Sequence, residues 1–193
     1  MIDSHLTWNN HIELLMKRVS KNIFLLTKLK KYTSTENLKL YFDAHVMSYI
    51  NYVSTIHDGC SKEVFNHINA IHRKAVRHLK NIGPREHLSN DHFKSLGILP
   101  LKKKYELNKT ILIHKIYNER TPSYLFNLIE KATDRYGSKQ LKLPRCRIDL
   151  TQNSLSFSGS SLWNELPIEL KTIRSPNSFK NKLKKILQNS TED

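Results

Sequence analysis

The chain has 193 residues, with 32 lysines and arginines against 17 acidic residues and a formal net charge of +15 with the histidines neutral. That length suits one ordinary domain, or a helical domain with a small appendage, and so large a positive excess calls for an anionic partner, nucleic acid or an acidic membrane surface. No run of 18 apolar residues is present to cross a bilayer, and the opening "MIDSHLTWNN" lacks the basic and apolar regions of a signal peptide. Cys60 and Cys146 are far apart in sequence, which fits reduced thiols better than a disulfide scaffold. The expected setting is therefore intracellular, cytoplasmic or nuclear, not secreted and with no membrane partner.

Most of the five glycines and six prolines fall at or after Gly83, so the first eighty residues read as long helices. Trp8, Ile12, Leu15, Val19, Ile23 and Leu26 recur at helical spacing and predict an amphipathic helix. "TSTE", Thr33 to Glu36, has capping-box spacing and predicts a second helix with Leu38, Tyr41, Phe42, His45, Val46, Tyr49 and Val53 inward. After "DGCS", Ser61 is expected to cap a third, with Val64, Ile68, Ile71, Ala75 and Leu79 on one side and Arg73, Arg77 and Lys80 on the other.

Gly83 and Pro84 open a loop, and Asp91 to Leu96 reads as a short helix ended by Gly97. A long helix restarts near Pro100 with Leu101, Tyr105, Leu112 and Ile116 on one face. Lys102, Lys103 and Lys104 sit at its N-terminal turn, where positive charge opposes the helix dipole, so stability is not the expected reason for them. Thr121 and Pro122 begin another short helix. From Tyr136 the period changes to two: "KQLKLPRCRIDL" and "SLSF" predict a small strand pair, with Arg145 and Arg147 on one side of the first strand. Ser160 or Ser161 then caps a turn carrying Leu162, Trp163 and Leu166, and "SFKNKLKKILQ" predicts a basic C-terminal helix. The expected fold is mainly α, a helical bundle with a small two-stranded β element and a C-terminal helix. Its divisions fall at 1–82, 83–132 and 133–193, and Trp163 is its anchor for the strand pair.

Few patterns suggest catalysis. The acidic residues Asp3, Glu13, Asp43, Asp58 and Asp91 are scattered singly, where a two-metal site needs clustered carboxylates. His57, Cys60, His67 and His72 form the densest group of metal-ligand types, yet lack a second paired motif, so no metal site is expected. The basic groups differ. Arg73, Arg77 and Lys80, then Lys102, Lys103 and Lys104, Arg145 and Arg147, and the lysines Lys180, Lys182, Lys184 and Lys185 have almost no acidic residues within a helical turn. A solvated face mixes both signs, and these one-signed runs are candidate contacts to a nucleic-acid backbone.

Five stretches in order carry a resemblance: "IDSHLTWNNHI", "YFDAHVMSYINYVSTIHDGCSKEVFNHINAIHRKAVR", "HFKSLGILPLKKKYELNKTILIHKIYNERTPSYL", "LPRCRIDL", and "SLSFSGSSLWNELP" followed by "SFKNKLKKIL". Together they resemble the C-terminal part, thumb and post-polymerase region, of the reverse transcriptase of non-LTR retrotransposons of the jockey-like LINE group. The resemblance implies a thumb-like bundle up to about Asn81 that helps to hold template and primer through backbone contacts; Trp8 and Trp163 are the expected structural anchors of the chain. It also implies that the catalytic aspartates, including the pair of the Tyr-x-Asp-Asp motif and the Mg2+ ions they hold, belong to an upstream polymerase core. His57 departs from the family pattern, which often has tryptophan there. The expected function is that of a catalytically incomplete fragment of an RNA-directed DNA polymerase, not an enzyme on its own and without a cofactor, binding RNA or DNA independently of sequence. The alternative is a helical structural or protein-interaction remnant that docks on a polymerase core.

Overall fold

The computed structural model describes residues 9–52, 62–132, 139–147, 152 and 154–190, the side chains of 9–12 excepted. Trp8, Val53, His57, Cys60 and Ser61 lie outside these residues. The protein is mainly helical, with one small two-stranded antiparallel sheet and a C-terminal helix. Among the described residues no helix is long and apolar enough to cross a membrane. The chain divides into two compact units, Met1–Leu101 and Lys102–Asp193, a division that differs from the boundaries expected at residues 82 and 132.

In the first unit α1 (Asn9–Leu29), α2 (Thr35–Phe42), α3 (Ser48–Tyr52), α4 (Lys62–Lys80) and α5 (Asn90–Ser95) enclose one core. α1 contributes the expected Leu15, Val19, Ile23 and Leu26, all buried, and packs on α2 and α4. The cap of α2 is Ser34, one residue later than the expected box: its Oγ accepts the Asn37 N–H at 3.4 Å. A π-helical turn, Asp43–Met47, joins α2 to α3. It sets five residues where an α-turn sets four, which rotates the following face. Hence His45 is exposed, while Met47 and Ile50 join Leu38, Phe42 and Val46 in the core.

α5 belongs to this unit because Phe93 stacks on the buried His72 of α4, with ring centroids 5.8 Å apart. Phe42 also meets that imidazole, tilted to it with centroids 5.9 Å apart. Gly97, at φ +64°, ends α5 as expected, and the following Ile98 N–H returns to Phe93 O at 3.0 Å. A side chain there would strain the left-handed backbone.

The second unit holds most of α6 (Leu101–Tyr117), then β1 (Glu130–Lys131), β2 (Leu141–Lys142), α7 (Ser160–Asn164), α8 (Ile168–Lys171) and α9 (Pro176–Asn189). Its strand pair is not the expected one. β2 lies within "KQLKLPRCRIDL", but it pairs with β1 in the register Glu130↔Lys142 and Lys131↔Leu141. The ladder stops before Pro144, which has no N–H to donate. "SLSF" is helical: Ser154 accepts the Phe157 N–H, and a π-helical turn, Leu155–Gly159, runs into α7. Gly159 is needed there for close approach, because a Cβ would lie 2.8 Å from the Ile113 side chain of α6.

Trp163 is fully buried, stacks on Tyr117 at 5.0 Å and donates from Nε1 to Lys139 O at 2.8 Å. Beside it, the Asn164 amide accepts the Leu141 N–H and donates to Leu141 O, both at 2.8 Å. The side-chain amide thus takes the place of a third strand along β2 and satisfies a sheet edge that would otherwise stay open. This corner joins α7 to the sheet. His114 is buried against Phe179, with centroids 4.1 Å apart, and its Nε2 lies 2.6 Å from Ile173 O. Burial holds its pKa below 6.5, with Arg120 adding to the effect and the Ile173 bond opposing it. A carbonyl only accepts, so the proton of the neutral ring sits on Nε2.

Candidate nucleic-acid interface

α4 is amphipathic because Ile68, His72, Ala75, Val76 and Leu79 recur at helical spacing and are buried. Its other side carries the amides Asn66 and Asn69, the small Ala70, and the cations Arg73, Lys74 and Arg77. With Pro84 these residues line an open groove of about 470 Å³. From Val64 to Arg85 the chain has no acidic residue, while Arg73, Lys74, Arg77, Lys80 and Arg85 supply positive charge. Among the described residues neither Arg73 nor Lys74 makes an ion pair or a hydrogen bond, and the same holds for Asn66 and Asn69. The cations concentrate toward the C-terminal end of the helix, where they complement its dipole.

The loop after α4 is tied to the groove. Asn81, at φ +60°, ends the helix, and the Ile82 N–H returns to Arg77 O at 3.0 Å. Arg77 Nη1 donates to Gly83 O and Glu86 O, each at 2.7 Å, so this guanidinium shapes the groove as well as charging it. His78 adds no charge at neutral pH: burial lowers its pKa below 6.5, and Lys74 and Lys30 lower it further.

Of the residues singled out from sequence, Arg73 and Arg77 come together in this groove, and Lys80 is half-buried outside its lining. Lys102, Lys103 and Lys104 do not form one patch, because consecutive helical residues are turned about 100° from each other. Lys102 is exposed and Lys104 half-buried, whereas Lys103 is buried. Its ammonium hydrogen-bonds Ser190 O, and Ser190 Oγ at 3.1 Å. Its structural reason is to fix the end of α9, which corrects the expectation that stability does not explain it. Arg145 and Arg147 are exposed in irregular backbone rather than on a strand, and Arg145 lines a separate cleft in the second unit. Lys180, Lys182 and Lys185 lie exposed along α9.

Sequence reasoning missed Asn66, Asn69 and Lys74. The amides leave no trace in a charge count, and Lys74 lies beside the Arg73 stripe rather than on it. Among the described residues no group of three or more His, Cys, Asp or Glu side chains is placed to hold a metal ion. His67 is exposed and His72 buried, while His57 and Cys60 lie outside the described residues. Comparison with protein-family models, with curated proteins and with solved structures returns no match.

Proposed function

We propose that this chain is the thumb and post-polymerase part of a non-LTR retrotransposon reverse transcriptase, and that its own contribution is a sequence-independent grip on an RNA or DNA backbone. The polymerase relationship rests on the five ordered stretches of sequence. The grip rests on one observation, the α4 groove with Arg73 and Lys74 in its lining and no acidic residue among its described lining residues. Cations on a rigid helix suit phosphate contacts, which position a strand without reading its bases. Binding measured against salt tests this. Each neutralised phosphate adds about 0.9 to the slope of log affinity on log salt for duplex DNA and about 0.7 for a single strand. A steep slope that is the same for unrelated sequences is expected; no binding at low ionic strength removes the reading.

A second reading, docking on a polymerase core, is favoured by the outer face of α1. Leu14 is 54% exposed, Phe24 61% and Leu25 49%. Apolar side chains that share a face in this way often mark an interaction surface. Replacing Leu14 and Leu25 by serine is expected to leave nucleic-acid binding intact and to abolish association with such a core in a pull-down. Retained association excludes this face.

A further inference from the structure

A second cleft, wholly within the Lys102–Asp193 unit, involves the arginine that the α4 groove does not use. It encloses about 680 Å³, a volume within the range of small-ligand sites. One part of its wall is apolar, formed by Leu128, Leu143 and Pro144. The two leucines are 39% and 43% exposed, so this wall is only partly covered by the chain itself. The polar part holds the Asn127 amide, the Ser156 hydroxyl and the Arg145 guanidinium.

Among the described lining residues the charges do not cancel. Lys142 Nζ lies 2.9 Å from the Glu130 carboxylate, across the strand pair, and these two neutralise each other. Arg145 makes no ion pair or hydrogen bond with a described residue. The described lining therefore carries one net positive charge next to an apolar wall and two neutral hydrogen-bonding groups. A planar arginine fork suits a phosphate, with two parallel N–H donors for two oxygens. An apolar wall suits the face of a base, and an amide with a hydroxyl suits a base edge or a sugar.

We propose that this cleft holds one unstacked nucleotide of a single strand, its base against Leu128, Leu143 and Pro144 and its phosphodiester on Arg145. A phosphodiester carries one negative charge and matches the single net positive charge of the described lining. A terminal phosphate carries nearly two, one more than the described lining neutralises. This goes beyond the backbone grip of α4 and uses none of its residues.

The test is a titration of the full, isotope-labelled chain, followed at the backbone amides of Leu128, Leu143 and Arg145 by NMR. The probes are a dinucleoside monophosphate, a nucleoside 5′-monophosphate and inorganic phosphate. Saturable shifts are expected with the dinucleoside monophosphate at millimolar concentration, weaker binding of the nucleoside 5′-monophosphate, and none localised to the cleft with inorganic phosphate. Arg145→Ala and Leu143→Ser each change an exposed residue and are expected to weaken binding about tenfold, the loss of one charge-assisted contact or of one stacking wall. Arg145→Gln serves if the alanine variant loses its fold by circular dichroism. The Arg73→Ala, Lys74→Ala double variant is expected to leave this titration unchanged while reducing the salt-dependent binding of the α4 groove. Equal affinity for inorganic phosphate, tighter binding of the 5′-monophosphate, or unshifted amides at millimolar dinucleotide would each overturn the proposal, whatever the α4 groove binds.

Discussion

The α4 groove of the first unit and the interior of the second use positive charge in opposite ways. In the first, Arg73 and Lys74 line an open groove with no described partner. In the second, Lys103, Lys109 and Lys171 are buried. Their ammonium groups reach chain oxygens: Ser190 O and Oγ for Lys103, Ser158 Oγ at 2.9 Å for Lys109, and Asn164 O at 3.0 Å for Lys171. A net charge of +15 therefore overstates what a polyanion would meet. The useful distinction is whether an oxygen of the protein already occupies the place that a phosphate would take.

Substitutions that separate stability from binding sharpen this contrast. The largest effect is expected for Trp163→Ala, which empties a fully buried site and should cost about 3–5 kcal/mol. Urea denaturation should show the loss in the transition of the second unit, with the groove of the first still binding at permissive denaturant. Lys103→Ala should follow at about 1–3 kcal/mol, the cost of leaving a part-buried carbonyl without its donor. Its sign is diagnostic: an unchanged denaturation midpoint would return Lys103 to the candidate phosphate contacts.

His114 adds a pH dependence confined to the second unit. Its folded pKa lies below the ordinary value of 6.5 because burial disfavours the charged ring. Below pH 6.5 the unfolded chain therefore binds the proton more readily. The stabilisation is present in full above pH 6.5 and is lost as the pH falls through that value toward the folded pKa. Denaturation midpoints across this window should converge with those of His114→Phe, which carries no titrating proton; parallel curves would break the assignment. Smallest in stability is the Arg73→Ala, Lys74→Ala pair, expected within about 0.5 kcal/mol of the parent because both are surface changes. Yet its salt slope on duplex DNA should fall by about 1.8, twice the contribution of one phosphate.

The long helices of the first unit were legible because a periodic apolar stripe has only one simple solution. Leu15, Val19, Ile23 and Leu26 on α1, and Ile68, Ala75 and Leu79 on α4, are buried where the spacing places them. Some short elements were not legible. Glu130 and Lys131 form a strand with no apolar alternation to announce it, and Leu155 and Phe157 have strand spacing within a capped helical turn. The groove was visible only through its charges. Arg73 and Arg77 share a stripe, whereas Asn66 and Asn69 became relevant only once the helix face was built. Lys103 looked equivalent to its neighbours because a run of lysines hides which of them the helix turns inward.

The π-helical turn between α2 and α3 bears on chain length. Leu38 and Val46, and likewise Phe42 and Ile50, are buried eight residues apart, a spacing that would become the seven of a heptad if one position between Phe42 and Val46 were removed. The π-helical turn in which exposed His45 lies is where the backbone takes up that extra position, so the register is adjusted inside a helix rather than in a loop.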